Sequence, residues 1–432
     1  MNDQAIQLNN EIQSSHASVM EMLSDKGKEM YFPKLGIVSQ AAEAKGTEIN
    51  ATIGIALEND GIPVNLPCIS SRIDLPAAQV FPYAPSSGRL DLRELWKTML
   101  VKKDPSISGK SFSLPMVTSA LTHGLSICGC LLCNAGDRVI IPDLYWENYE
   151  LIFSRIHGAT LDTFPFFTES GGFNVQGLRE KLLSESPGKR IVCLNFPNNP
   201  TGYTPTVKEI EELRLVFLEA ARNECRIVVI IDDAYFGLIY ESGVYTRSVF
   251  SELCDLHPNV LAVKLDGATK EDYTWGFRVG FITYGIHGGT QGLYKALEAK
   301  TAGIIRATVS NASNLSQSLM VSAYTSDSYA QEKRGKFELL RERYETVKQI
   351  LKSHPEYKEQ FIPLPFNSGY FMCIRVFKAD LEQVRQKLLT DYSIGVIAMN
   401  GIIRIAFSST PVDKLEKLFD HINRAVKELA GS

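Results

Sequence analysis

The stretch "RIVCLNFPNNPTGYTPTVKEIEELRLVFLEAARNECRIVVIIDDAYFGL", Arg190–Leu238, sets the fold class. Its two apolar runs, Arg190–Phe196 and Arg226–Asp232, read as short, fully buried strands. Between them, Thr206–Glu224 repeats its apolar residues at helical spacing. Strand, helix, strand in this order implies a right-handed crossover and a largely parallel sheet covered on both faces. The alternation extends outward to "RVIIP" at Arg138 and "NVLAVKL" at Asn259, so an α/β domain is expected.

Beyond about residue 320 the pattern changes to a long charged helix, then "SGYFMCIRV", a second helical stretch and "GIIRIAFSS". The expected organisation is an N-terminal arm and part of a small domain over 1–66, a large ligand-binding domain over 67–320, and a small α+β domain over 321–432. "FPKLGI" breaks the polar, helix-like first forty residues, and "NATIGIALENDGIP" is expected to return to the small domain.

The 432 residues are 44% hydrophobic and 22% charged, with a net charge of −4. That balance suits a globular protein and offers no general electrostatic attraction for nucleic acid or an anionic membrane. No apolar run approaches the roughly 20 residues that span a bilayer. The N-terminus lacks the order of a secretory signal, so a cytoplasmic protein is expected. Eight cysteines are too few for a disulfide scaffold. Cys128, Cys130 and Cys133 lie on a helix expected to end at Gly136; they lack the partners of a four-ligand site, so no metal is expected.

In open α/β sheets, ligands bind at the carboxyl ends of the strands, and the notable polar residues fall there. Asn199 sits in the turn "PNNPTG", and Asp232 and Tyr235 close the second strand. A carboxylate ending so apolar a run needs a cation, several donors or a proton. "PMVTSALTHG" turns from strand to helix at Ala120, Leu121 and Thr122, where free amides can hold an anion. Trp146 lies just past another strand, and Lys270 stands in the turn of "VKLDGATKEDYTWGFRVGF", eight residues before Arg278. Singly, a turn, a cap or a core plug explains each of them. Together they describe a flat, anionic ligand with a ring nitrogen for Asp232, a hydroxyl for Asn199 and Tyr235, and an aldehyde for Lys270. Pyridoxal 5'-phosphate meets each requirement.

"NNPTG", "DDAYFG" and a lysine eight residues before "RVG", in that order, resemble the class I aminotransferases of the fold-type I pyridoxal-phosphate enzymes, closest to those acting on aspartate and aromatic amino acids. The resemblance runs from about Asn50 to Phe407. It implies that Lys270 forms the internal aldimine and later shuttles the proton, that Asp232 keeps the ring nitrogen protonated, and that Asn199 and Tyr235 bond the phenolic oxygen. By the same resemblance Trp146 stacks on the ring, while Arg278 and Ala120–Thr122 hold the phosphate together with Tyr83 of a neighbouring subunit in a homodimer. Arg404 would grip the substrate α-carboxylate beside Gly54, with Trp146 and Asn199 also at the substrate, and Arg306 would cross the interface to a side-chain carboxylate.

The chain departs from the family pattern at Gly267, where a phosphate-binding serine is usual, and at Leu121, usually glycine; Asp266 is an unexpected acid beside the first. The implied activity is transfer of an amino group between an amino acid, aspartate or glutamate foremost, and a 2-oxo acid. The alternatives are a carbon–sulfur lyase or decarboxylase on the same fold, or a ligand-sensing module without catalysis.

Overall fold

In the computed structural model, residues 1–33, 36–184 and 187–431 are described; part of the break at "FPKLGI" lies outside them. Seven strands form the main sheet: β1 (Met116–Ser119), β2 (Arg138–Pro142), β3 (Thr160–Phe164), β4 (Gly188–Asn195), β5 (Cys225–Asp232), β6 (Val260–Asp266) and β7 (Val279–Gly285). Their spatial order is β1-β7-β6-β5-β4-β2-β3. All neighbours are parallel except that β7 runs antiparallel to both β6 and β1. The sheet is therefore mixed at one side. The link from β6 to β7 holds only a single helical turn, Ala268–Glu271, and a 3-10 turn, too little to cross back over the sheet.

The helix between β4 and β5, Val207–Arg222, begins where Thr206 and Glu209 form a reciprocal capping box. It buries Ile210, Leu213 and Phe217 against the sheet. The helix bearing the cysteines spans Ala120–Leu132, ending four residues before the expected stop. Gly136, at φ 87°, instead closes the following turn. Cys128 is buried and Cys130 exposed.

A second, antiparallel sheet comprises β8 (Phe361–Pro363), β9 (Phe371–Val376), β10 (Ile397–Met399) and β11 (Ile402–Ala406), ordered β10-β11-β9-β8. Helix Val412–Ala430 buries Leu415, Phe419 and Ile422 in the same cluster as Ile374 and Ile405. The segment Ile49–Asn50 pairs with Ile394–Gly395 in a separate two-stranded sheet, and the Ala406 amide donates to the Ala51 carbonyl, so the early chain packs beside β11. The 25-residue helix Tyr329–Ser353 serves both cores: Leu340 packs in the larger, Tyr344 and Val347 in the smaller.

Candidate active site

A cavity of about 500 Å³ opens at the carboxyl ends of β4 and β5. In-register pairing places Asn195 beside Asp232 there, and both line it. Asp232 is 3% exposed. It accepts a 2.6 Å hydrogen bond from the Tyr149 hydroxyl and one of 3.1 Å from the Ala234 amide. Burial pushes its pKa up, against those bonds and the field of Lys270; no cation pairs with it among the described residues.

Lys270 enters the cavity from the turn after β6. Its Nζ sits 5.1 Å from the centroid of the Tyr235 ring. Burial, helped by the positive field of Arg278, lowers its pKa despite Asp232. Tyr235 is 5% exposed, its ring edge-on to Tyr370 and Phe371. The Asn199 amide N–H donates to Asn195 Oδ1 at 2.8 Å, which ties the turn after β4 to the strand end.

Arg404 reaches the same space from β11 and is 2% exposed. One guanidinium nitrogen donates to Asn199 Oδ1 at 3.2 Å and another to the Thr52 carbonyl at 3.3 Å, with Phe371 beneath at 4.2 Å. Its Nε has no partner, and burial pulls its pKa down. A buried guanidinium with no ion pair among the described residues is a seat for a carboxylate.

The helix N-terminus at Ala120 meets Arg278, and both line the cavity. Both residues adopt left-handed backbone, φ 60° and 56°, and the Ala120 amide donates to the Arg278 carbonyl at 3.0 Å. Such conformations in residues with a Cβ cost energy and recur at functional sites. Among the described residues the Arg278 side chain bonds only the Trp275 carbonyl, at 3.2 Å, and burial lowers its pKa. Close by in the chain, the buried Thr269 hydroxyl lacks a partner. Leu121 lines the cavity yet packs its side chain into the main core.

The two departures beside β6 have structural reasons. A Cβ at Gly267 would lie 2.6 Å from the Val279 carbonyl oxygen, so no serine fits this backbone. Asp266 is absent from the cavity lining; it accepts from Trp96 Nε1 at 3.0 Å and lies 3.4 Å from Lys264.

Gly54, Thr122 and Trp146 complete the expected residues lining the cavity. Tyr83 and Arg306 do not reach it. Tyr83 is 91% exposed, and Arg306 is exposed with its guanidinium on Ser310 at 2.7 Å. Sequence reasoning overlooked Tyr149 and Thr269, although both lie inside stretches it used. It also missed Ile37, Val38 and Ala41, which form one wall of the cavity from helix Ile37–Glu43; their spacing carries no chemical signal.

The model of aminotransferase class I and II matches residues 77–422, and the chain belongs to this family. It is similar to the aspartate aminotransferase of Bacillus sp. strain YM-2, with 23% identity over 91% of this chain and 96% of that protein. An aromatic amino acid aminotransferase of Corynebacterium efficiens is 30% identical over 34% of this chain and 39% of its own length. Among solved structures, an aminotransferase from Anaerococcus prevotii superposes with a TM-score of 0.83 at 24% identity, covering 94% of this chain and 99% of that one. Aspartate aminotransferase of Thermus thermophilus, as a single mutant, gives 0.75 at 18%, covering 93% and 99%.

The protein is thus a pyridoxal-phosphate-dependent transaminase of fold type I. Its cavity suits that cofactor: Lys270, Arg278 and Arg404 face one carboxylate, Asp232, and the Thr269 hydroxyl and Arg404 Nε are unsatisfied. A phosphate and a substrate carboxylate would offset the excess positive charge, and a protonated ring nitrogen would supply a cation for Asp232. The carbon–sulfur lyase and decarboxylase alternatives are not favoured by these relatives. No helix among the described residues is long and apolar enough to cross a membrane.

Proposed function

We propose that this transaminase exchanges an amino group between aspartate or glutamate and a 2-oxo acid, with Lys270 as its reactive amine. The observation carrying this reading is the convergence of Lys270, Asp232 and Arg404 on one cavity, Asp232 and Arg404 buried, Lys270 half-buried, and none in an ion pair among the described residues. When bound, pyridoxal phosphate supplies an electron-accepting ring conjugated to the carbon that receives the amino nitrogen.

Arg404 grips the α-carboxylate through its planar fork and so fixes the orientation of Cα. Lys270, its ammonium disfavoured by burial, is poised to take the proton from Cα and return it. Asp232, aligned by Tyr149 and the Ala234 amide, would hold a proton on the ring nitrogen. Asn199 and Tyr235 would bond the ring oxygen, and Trp146 would cover the ring face. Arg278, the Ala120–Thr122 amides and Thr269 would hold the phosphate.

A homodimer completes the site in this reading. The exposed Tyr83 would reach the phosphate, and Arg306 the side-chain carboxylate, in the cavity of the second copy. The division into a large domain over 67–320 and a small one over 321–432, with the first 66 residues shared between arm and small domain, belongs to the same proposal, as does a cytoplasmic setting. Purified protein given aspartate and 2-oxoglutarate is expected to form oxaloacetate and glutamate. Conversion of aspartate to alanine and carbon dioxide, or release of hydrogen sulfide, ammonia and pyruvate from cysteine, with no 2-oxoglutarate consumed, would overturn the assignment.

A further inference from the structure

Directly after Lys270 the chain places two acids, Glu271 and Asp272, and both are buried, their side chains 5% and 0% exposed. They do not line the cavity. Glu271 Oε1 lies 2.6 Å from Lys103 Nζ, at the end of helix Leu90–Lys103, and 2.6 Å from Lys333 Nζ, in the first turns of helix Tyr329–Ser353. Asp272 takes Lys333 at 3.1 Å, the Tyr329 hydroxyl at 2.5 Å and the Tyr324 hydroxyl at 2.7 Å. The two ammonium groups hold Glu271 well below the usual carboxylate range, although burial opposes them. At Lys103, by contrast, burial outweighs the attraction and the pKa falls.

A four-residue helical turn has almost no stability of its own, because nucleation costs more than its few hydrogen bonds return. The turn Ala268–Glu271 that bears Lys270 is such an element. Its direct supports are few: the Lys270 carbonyl accepts from the Tyr370 hydroxyl at 3.1 Å, and that of Ala268 from Thr274 at 2.9 Å. Replacing buried ion pairs by well-packed apolar groups is often neutral or better for stability, so net stability alone is a weak reason for this cluster. What it specifies is a direction.

The helix holding Glu271 and Asp272 also holds the strand of Arg404. Ten residues beyond Lys333, and so about 15 Å along the axis, the fully buried Arg343 donates to the Ser408 carbonyl, just past β11, and to Asn59 at 2.9 Å. One rigid element therefore touches the turn of the amine at one point and the segment after the carboxylate-binding arginine at another.

We propose that Lys333 is a positioning residue: it locks the Lys270 turn to helix Tyr329–Ser353, so that the amine and Arg404 keep a set separation. The inference rests on the reading of Lys270 as the reactive amine. Lys333 touches neither cavity nor substrate and acts through Glu271 and Asp272.

The test compares Lys333→Met, Lys333→Arg and, as a control on the same helix face, Lys336→Met, whose ammonium pairs with Glu58 at 2.7 Å. Each protein is loaded with pyridoxal phosphate, kept well below its melting temperature, and measured for kcat, for KM and for cofactor dissociation rate in buffer. Lys333→Met is expected to lose about tenfold or more in kcat with KM changed less than twofold, and to release cofactor several-fold faster; Lys333→Arg restores both, and Lys336→Met alters neither. Wild-type kcat and cofactor release in folded Lys333→Met would overturn the proposal, as would an equal effect from Lys336→Met or no rescue by arginine. Borohydride reduction and peptide mass spectrometry of the wild type separate the two levels. An adduct away from residue 270 removes the underlying reading, whereas an adduct on Lys270 with a silent Lys333→Met removes this inference alone.

Discussion

Asp232 and Asp233 are neighbours in sequence, equally buried at 3% exposure, and chemically identical, yet they occupy opposite electrostatic worlds. Asp232 faces the cavity with, among the described residues, a hydroxyl and an amide as the only partners bonded to its carboxylate. Asp233 faces the other side of the sheet, where the Lys264 ammonium and the Ser248 hydroxyl, the latter at 2.6 Å, satisfy it. Lys270 and Lys264 repeat the contrast. Lys270 has no ion pair and a lowered pKa, whereas Lys264 touches two carboxylates and its pKa is raised. Burying a charge is costly on either side. Behind the sheet the fold balances the charge internally; in the cavity it leaves the balance to a ligand. Unbalanced burial marks the site more sharply than charge density does.

The strongest challenge to this contrast exchanges the two lysines' fates. Lys270→Ala is expected to lower turnover by about 10⁴-fold, the upper end of what a positioned acid–base group supplies, and to abolish the visible band of the bound cofactor. Its melting temperature in the cofactor-free form should hold or rise, because a desolvated ammonium is removed. Lys264→Met is expected to do the reverse, losing about 3–5 kcal/mol of stability by stranding Asp233 and Asp266 while any folded fraction still binds cofactor. Thermal melts and absorption spectra of both variants decide it, and similar behaviour in the two would erase the distinction.

The arginines allow a finer division. Arg404→Lys keeps the charge but loses the planar fork, so KM should rise for every amino acid tested. Arg306→Ala is expected to cost aspartate about 2–5 kcal/mol in kcat/KM, the scale for truncating one partner of a buried charge pair, and a neutral amino acid far less. Equal losses on the two substrates would deny Arg306 a side-chain role.

The smallest expected effect is a pH signature of opposite sign. The pKa of Asp232 is raised by folding, so between the ordinary carboxyl value, about 4, and its folded value the native state binds more protons and stability falls as pH rises. Glu271 is lowered, so its contribution is complete above the ordinary value and is lost as pH falls toward the folded one. In cofactor-free protein, Asp232→Asn should remove a decline in stability on the alkaline side of that point, and Glu271→Gln a decline on the acid side. Denaturant titrations across this range check both slopes.

The sequence revealed the site to different depths. Apolar runs between Arg138 and Leu265 announced the parallel strands, because burial on both faces leaves an uninterrupted pattern. The antiparallel β7 was not legible, since its direction depends on the short link before it rather than on its own residues. Lys270 and Asp232 were legible because charges amid apolar residues demand a reason, whereas Arg404 was legible only through the family resemblance. Tyr149 reads as one more aromatic, and only its 2.6 Å bond to Asp232 distinguishes it. Ile37 and Val38 come from a distant helix, whose Gln40 exchanges two hydrogen bonds with the backbone of Ala398, a tertiary pairing that no local pattern encodes. Asp266 was read as an intruder near the phosphate, whereas alternation along β6 had already turned it away.

The close packing at Gly267 sets a rule for redesign of this loop. A Cβ there strikes Val279 and Gly280, and a Cβ on Gly280 would in turn lie 2.7 Å from the Ala120 carbonyl carbon. Three segments thus interlock where Gly267 and Gly280 lack a side chain, and adding one at either displaces its neighbour. A serine at position 267 would push aside the strand that begins beside Arg278, so a redesign that adds a side chain here has to exchange Val279, Gly280 and Ala120 with it.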